Sequence, residues 1–523
     1  MNIAATVNEK PDSWQRRAIV LIIMVASLMR LPWLAEISLS NDELSALIRA
    51  RHVSFNELIV KGVHIDYHPA GIEVFIHYWV KIFGEGAFML RLPFALLSIG
   101  SVYLVFLLGR RWFNVNTGLM VAAFFATFEH PLLYSILARM YSPGLFFCLL
   151  AAFHWSGWIN AVRSGREVSS WDVAGLSVAM LFAPHTHYFV VVQLFVMGMS
   201  GFIMLPASEW LRYASVCVIG ALSFFTEWTV FKVQMSTGDL GGWLGKPGSD
   251  FLINYFKEVF NGFILLPIFL LIVSAIGSLS ALNNGHSRQY FFCGTGWFLF
   301  SFLLGYGYSV FRHPALQSST LLFSLPFLLI AFIGVWPLRT AKSMYGAAFA
   351  IAFLFSGVFS TVYSRGFYHQ PPFGVFKDVA SDVTDWVKDY GADSILVVAN
   401  TVNTAYLQYY FDRTSHAPSN LIYKIETTAE LSTLRDEVDS LSEKFPYLAY
   451  VWTNSLHPYE INSIVSQRYR YINNHKTYFN AECWLFSRKS SDSVSKIDES
   501  WTIHYSQNKA DGKARVIDGI TVA

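Results

Sequence analysis

The stretch "HPAGIEVFIHYWVKIFGEGAFMLRLPFALLSIGSVYLVFLLGRRWF", residues 68–113, changes character at its middle. From about residue 87 to 108 it is apolar and free of acidic residues, and it ends in Arg110 and Arg111. A run of about 20 such residues is long enough to cross a bilayer as a helix. The half before it, beginning at "HIDYH", is apolar on one side but carries Asp66, His68, Glu73, His77 and Lys81. A charge at the bilayer centre costs about 2.5–3.5 kcal/mol on insertion scales. This half therefore reads as a helix lying in the membrane interface.

The rest of the chain has the same character. Of 523 residues, 54% are hydrophobic, 17% aromatic and 14% charged, against about 25% charged in soluble domains. This composition indicates a polytopic membrane protein. The net charge is +2 and the basic residues are scattered, which argues against a nucleic-acid partner. Cys148, Cys217, Cys293 and Cys483 show neither a CxxC nor a metal-site spacing and read as small packed residues. The first hydrophobic run, "AIVLIIMVASLMRLPWLA", lacks a signal-cleavage pattern and reads as a retained span.

Hydropathy predicts about eleven spans, near 17–35, 87–108, 117–133, 138–158, 172–188, 189–206, 212–231, 257–281, 290–310, 315–335 and 342–361. With the N-terminus in the cytoplasm, the short inner loops hold Arg110, Arg111, Arg163, Arg166, Arg212, Arg288, Arg339 and Lys342. The outer loops mix Lys61, Lys81, Arg91, Lys246 and Arg312 with Asp42, Glu57, Asp66, Glu85 and Asp239. The positive-inside rule favours that orientation in the cytoplasmic membrane. An odd span count then places everything after Ser364 outside.

There the composition changes. Val375, Val379, Val383, Trp386 and Val387 share one helical face, a Gly stop follows, and "SILVVAN" reads as a strand. A second helix in "TAELSTLRDEVDSLSEKF" and strands in "YLAYVWTN" and "ECWLFSR" complete a small extracytoplasmic α/β domain at 366–490. Residues 491–523 form a polar tail, and 1–365 the membrane domain, whose outer loop and interfacial helix occupy 36–86. The predicted fold class is mainly α, a transmembrane bundle with an α/β appendage.

From Asp42 to about Trp155 the chain resembles the GT-C superfamily of membrane glycosyltransferases. It is most similar to the branch of protein O-mannosyltransferases and lipid A aminoarabinose transferases. The resemblance rests on the order and spacing of Asp42-Glu43, His68-Pro69, Gly84 to Pro93, Gly109 to Phe113 and Ser135 to Tyr141. Ala70 replaces the second proline of the family's HPP, and beyond about residue 190 only hydropathy matches. The resemblance implies transfer of a sugar from a polyprenyl-phosphate carrier to a lipid, glycan or protein acceptor outside the membrane, with inversion.

Such a displacement needs a base on the acceptor hydroxyl and charge compensation for the departing phosphate. Asp42 is the first choice for the base, and the resemblance points to it too. Glu43 either shares the site or caps a helix, since Ser40-x-x-Glu43 has the form of a capping box. In "HIDYH" an extended chain would aim His64, Asp66 and His68 one way. With Asp42 these residues would hold a divalent cation, or the histidines are simply hydrogen-bonded at a helix entrance. His185 and His187 in "APHTHYF" pose a weaker version of the same choice. Arg139, with Tyr141 at an outer span end, either grips the carrier phosphate or braces Asp42 or Glu129. Arg312 and Lys246 are phosphate candidates or interfacial anchors. The rival classes are a transporter or flippase, for which mid-span charges are expected, and a non-catalytic subunit of polysaccharide assembly, for which Asp42 is dispensable.

Overall fold

The computed structural model describes residues 10–236, 244–281, 283–336, 341–369, 374–424, 428–453, 460–478 and 480–489, with isolated strand residues beyond. Asp239, Arg339 and most of the tail 491–523 lie outside the described residues. The chain forms two compact units: Met1–Glu36 with Ser45–His369, and Ile37–Leu44 with Gln370–Ala523.

The first unit is helical. Its helices include α1 (Ser13–Leu28), α2 (Asn41–Ala50, whose first turn belongs to the second unit), α3 (Gly71–Phe83) and α4 (Ala87–Trp112). They continue with α5 (Val115–Thr127), α6 (Glu129–Ile136), α7 (Tyr141–Arg163), α8 (Ser170–Phe182) and α9 (Tyr188–Met204). Next come α10 (Ala207–Thr226), α11 (Trp228–Ser236), α12 (Phe251–Val259), α13 (Leu265–Ala281), α14 (Gly285–Phe311), α15 (Leu325–Gly334) and α16 (Ser343–Phe359). The stretch 68–113 folds as α3 and α4, separated by Gly84 at φ +80°, whose N–H caps Val80 O at 2.8 Å. Only glycine takes that conformation without strain, so it ends α3 cleanly.

Ala87–Trp112, Tyr141–Arg163 and Ser343–Ser364 are long and apolar enough to cross a membrane, and counting two bent pairs brings the total to five. The chain is thus a multi-pass membrane protein, and among the described residues three to five helices are long and apolar enough to cross, not the expected eleven or so. The apolar runs are cut. The run near 117–133 is broken at Phe128, where α5 and α6 meet at 61°, and that near 212–231 at Glu227, where α10 and α11 meet at 54°. Of the run near 315–335 only the 10 residues of α15 are α-helical, roughly 15 Å at 1.5 Å per residue, half a hydrocarbon core.

Breaks in buried apolar helices require partners for the freed backbone groups. At Phe128 the buried Arg30 guanidinium donates to Phe125 O and Ala126 O, both at 2.9 Å. Thr361 Oγ1 donates to Thr127 O at 2.7 Å, and Asn261 Oδ1 accepts from Glu129 N at 3.0 Å.

The second unit is α/β. Helix α17 (Phe376–Tyr390) buries Val379, Val383, Trp386 and Val387 and stops at Gly391, φ +88°. Strand β1 (Ile395–Thr401), α18 (Thr404–Phe411), β2 (Leu421–Lys424), α19 (Thr428–Leu441) and β3 (Tyr447–Thr453) follow. After α20 (Glu460–Ser466), β4 (Tyr471–Tyr478) and β5 (Ala481–Ser487) close the core. The sheet order is β2-β1-β3-β5-β4 and then a short edge strand. β1 is parallel to β2 and β3, while β5 is antiparallel to β3 and β4. Every residue of β1 is buried, as expected for a central parallel strand covered on both faces.

Candidate active site

In the second unit, Ser40 and Glu43 form a reciprocal pair at the start of α2. Glu43 N donates to Ser40 Oγ at 3.2 Å and Ser40 N to Glu43 Oε2 at 2.9 Å. This is the capping box, and it holds Glu43 fully buried. Asp42, on the same first turn, is exposed. Adjacent carboxylates about 100° apart around a helix therefore have different environments: Glu43 is buried and bonded to the backbone, and Asp42 is exposed.

In the first unit, two arginines and two carboxylates form a buried cluster. Arg139 donates from one terminal nitrogen to Glu73 Oε1 at 2.9 Å and from the other to both Asp66 oxygens at 3.0 and 3.1 Å. Arg49, in the last turn of α2, donates to Asp66 and, at 2.9 Å, to Glu73 Oε1. The side chains of Asp66 and Glu73 are 8% and 2% exposed. Burial by itself raises the Asp66 carboxyl, but Arg139 and Arg49 outweigh it and hold Asp66 well below the usual carboxylate range. Burial and the Asp66 charge push Glu73 up, against the same two guanidiniums. Two cations and two anions leave the cluster neutral, which is how four charges tolerate a dry site.

The loop that presents Asp66 is clamped from behind. Glu227, at the α10–α11 break, accepts from Ala70 N at 3.0 Å and pairs with His185 Nδ1 at 2.6 Å. A carboxylate at the first turn of α3 meets free N–H groups and the positive end of the helix dipole. Gly71 lets His185 approach, because a Cβ there would lie 2.6 Å from His185 O. Gln234 Nε2 donates to Val63 O and His68 O, and Tyr188 donates to Gln234 at 2.5 Å.

"HIDYH" is not extended, which corrects that expectation. A π-helical turn, Leu58–Val63, runs into a tight turn through Asp66, and Tyr67 takes φ +58°. The turn forms because Asp66 is drawn inward to the arginines while Gln234 holds the backbone on either side. His68 Nδ1 lies 2.7 Å from Asp66 O, and its ring meets His187 edge-on at 5.1 Å. His187 is kept neutral by burial, with His68 and Arg139 pushing the same way, and it caps α9 through Phe189 N. For a divalent cation these residues do not fit, because guanidiniums occupy Asp66. Among the described residues no three His, Cys, Asp or Glu side chains gather as a metal site.

The remaining candidates are dispersed. Arg139 bonds Asp66 and Glu73, while Glu129 pairs with Arg365 at 2.6 Å. Tyr141 is buried with its ring 4.6 Å from Tyr134. Lys246 Nζ donates to Val310 O at 3.1 Å, which brings it to the end of α14 where Arg312 stands exposed. Among the described residues neither cation has a carboxylate partner. Reading the sequence missed Arg49 and Glu227. The signal for Glu227 was present in "LSFFTEWTVF", a lone charge inside an apolar run, which demands a partner.

Residues 67–229, about a third of the chain, match the family model described as dolichyl-phosphate-mannose-protein mannosyltransferase. The structure of ArnT from Cupriavidus metallidurans in the apo state has a TM-score of 0.51 at 13% identity, over 90% of this chain and 98% of that one. The same protein bound to undecaprenyl phosphate gives 0.52 at 12% identity with the same coverage. No curated protein matches by sequence. At such identities the structural likeness establishes the fold, and the matched segment contains Glu73, Arg139 and Glu227. Residues 67–229 are thus similar to the mannosyltransferase family model, and the chain as a whole has an ArnT-like fold.

Proposed function

We propose that this chain is a membrane glycosyltransferase of GT-C type that moves a sugar from a polyprenyl-phosphate donor to a hydroxyl of a lipid, glycan or protein acceptor on the extracytoplasmic face of the cytoplasmic membrane, with Asp42 as general base. One observation carries the assignment: between Ser38 and Leu44 the side chains are buried or half-buried except Asp42, which is exposed. The acceptor proton passes to the Asp42 carboxylate as the acceptor oxygen attacks the anomeric carbon. The bond from that carbon to the carrier phosphate oxygen breaks, its electron pair leaves with the phosphate, and the anomeric centre inverts. Lys246 and Arg312 compensate the phosphate charge, and the Arg49, Asp66, Glu73 and Arg139 cluster organises the outer loop. Support for the donor class comes from the dolichyl-phosphate-mannose family segment and from ArnT, which has been solved with undecaprenyl phosphate.

Lipid analysis of cells lacking the protein tests the reading. The polyprenyl-phosphate sugar accumulates, and membranes with the protein restored discharge it onto acceptor. Normal donor levels together with no transfer in restored membranes would remove the proposal. Sidedness has its own test. A reporter fused after residue 365 is active outside the cytoplasm and one fused after Arg111 inside. Activity of the first in the cytoplasm would put Asp42 on the wrong face.

A further inference from the structure

Residues Ile37–Leu44 are separated by more than 300 residues of chain from Gln370, yet they pack as part of the second unit. The contacts that hold them are specific. Leu39 N donates to the Tyr410 hydroxyl at 2.8 Å, and Ser38 Oγ lies 3.5 Å from the same hydroxyl. Ser38 Oγ also accepts from Lys377 N, in the first turn of α17, at 3.1 Å. Tyr410 is on α18, which is fixed to α17 by the perpendicular Phe376–Tyr406 ring contact at 5.4 Å and to β2 by Tyr423 donating to Gln408 at 2.9 Å. Leu39 and Ser40 are buried, and Ser40 opens the capping box that sets the turn bearing Asp42.

From this arrangement we infer that the C-terminal unit holds the acidic segment in its working conformation, and that Tyr410 is a positioning residue acting on Asp42 through Leu39 and the Ser40–Glu43 box. The inference rests on the assignment of Asp42 as base. It gives the α/β unit a role in turnover that does not require it to touch either substrate. The physical basis is that a backbone N–H bonded to a rigid phenol fixes both the distance and the direction of the chain three residues before Asp42. A general base works only when its oxygen is held within hydrogen-bond reach of the proton it takes, and misplacement by about 1 Å can cost 10²-fold.

Tyr410→Phe keeps the ring and removes the hydroxyl, leaving Leu39 N without its acceptor. In membranes with matched protein level, kcat falls by about ten- to a hundredfold while KM for a polyprenyl-phosphate sugar stays within about twofold. Loss of packing alone would lower the amount of folded enzyme without that split. Ser38→Ala acts on the same contact from the other side, so it shows the same split and decides the matter if Tyr410→Phe fails to fold. Because the two groups meet, the double variant loses less than the product of the single losses. Wild-type kcat in both variants, or a raised KM with kcat unchanged, overturns the inference while leaving Asp42 as base if Asp42→Asn is inactive. Retained turnover in Asp42→Asn removes the base assignment and this inference with it.

Discussion

Asp42→Asn lowers sugar transfer by about 10²–10⁴-fold, the usual worth of a general base. The substitution keeps shape and removes the proton acceptor, and at an exposed position it leaves no buried group unpaired. Protein level and donor binding therefore stay near wild type. Glu43→Gln is the internal contrast. It retains an oxygen that accepts from Ser40 N, so it costs at most the lower part of the roughly 0.5–2 kcal/mol that a cap contributes, and turnover changes little. The measurement is transfer from a polyprenyl-phosphate sugar in membranes with protein amount fixed. Near-normal turnover in Asp42→Asn would transfer the base role to another carboxylate and end the present assignment.

Arg139→Leu is expected to destabilise the first unit by about 3–5 kcal/mol, the cost of leaving a buried charge uncompensated. Without Arg139, Asp66 and Glu73 share the single guanidinium of Arg49. Arg139→Lys is damaging as well, because one ammonium cannot replace a fork whose two ends serve different carboxylates. The readout is the midpoint of heat-induced loss of monodisperse protein in detergent, alongside KM for the donor. A wild-type midpoint with a raised donor KM would instead mark Arg139 as a phosphate ligand. The pH dependence follows from the sign of the Asp66 shift. Its carboxyl is held down by the arginines in the folded protein, so its stabilisation is present above about pH 4 and lost as pH falls through the folded-state value.

Helix α3, the break at Gly84 and the long apolar helix α4 were legible in the sequence because charge content, a glycine stop and apolar length are local signals. The C-terminal strands and helices were legible too, since period, Gly stops and Val-rich runs are local signals. The span count was not, because an apolar run has the same composition whether it crosses a membrane or packs inside a bundle. The apolar runs continue through Phe128 and Glu227, yet the chain breaks at both: at Phe128 Arg30, Thr361 and Asn261 bond the freed backbone groups, and at Glu227 the side-chain carboxylate accepts from Ala70 N.

By itself the sequence determined the helical membrane architecture with an α/β unit after it, the acid pair at 42 and 43, and the helix pair around Gly84. These follow from hydrophobic periodicity and local charge, which act over a few residues. Only the tertiary structure decided which carboxylate is free, what Arg139 grips, and that Ile37–Leu44 packs with residues beyond 370. Those outcomes depend on partners 66 and 73 residues away for Arg139 and 371 for Leu39. A charge or a backbone N–H is satisfied by whichever group the fold brings within about 3 Å, and sequence distance carries no record of that.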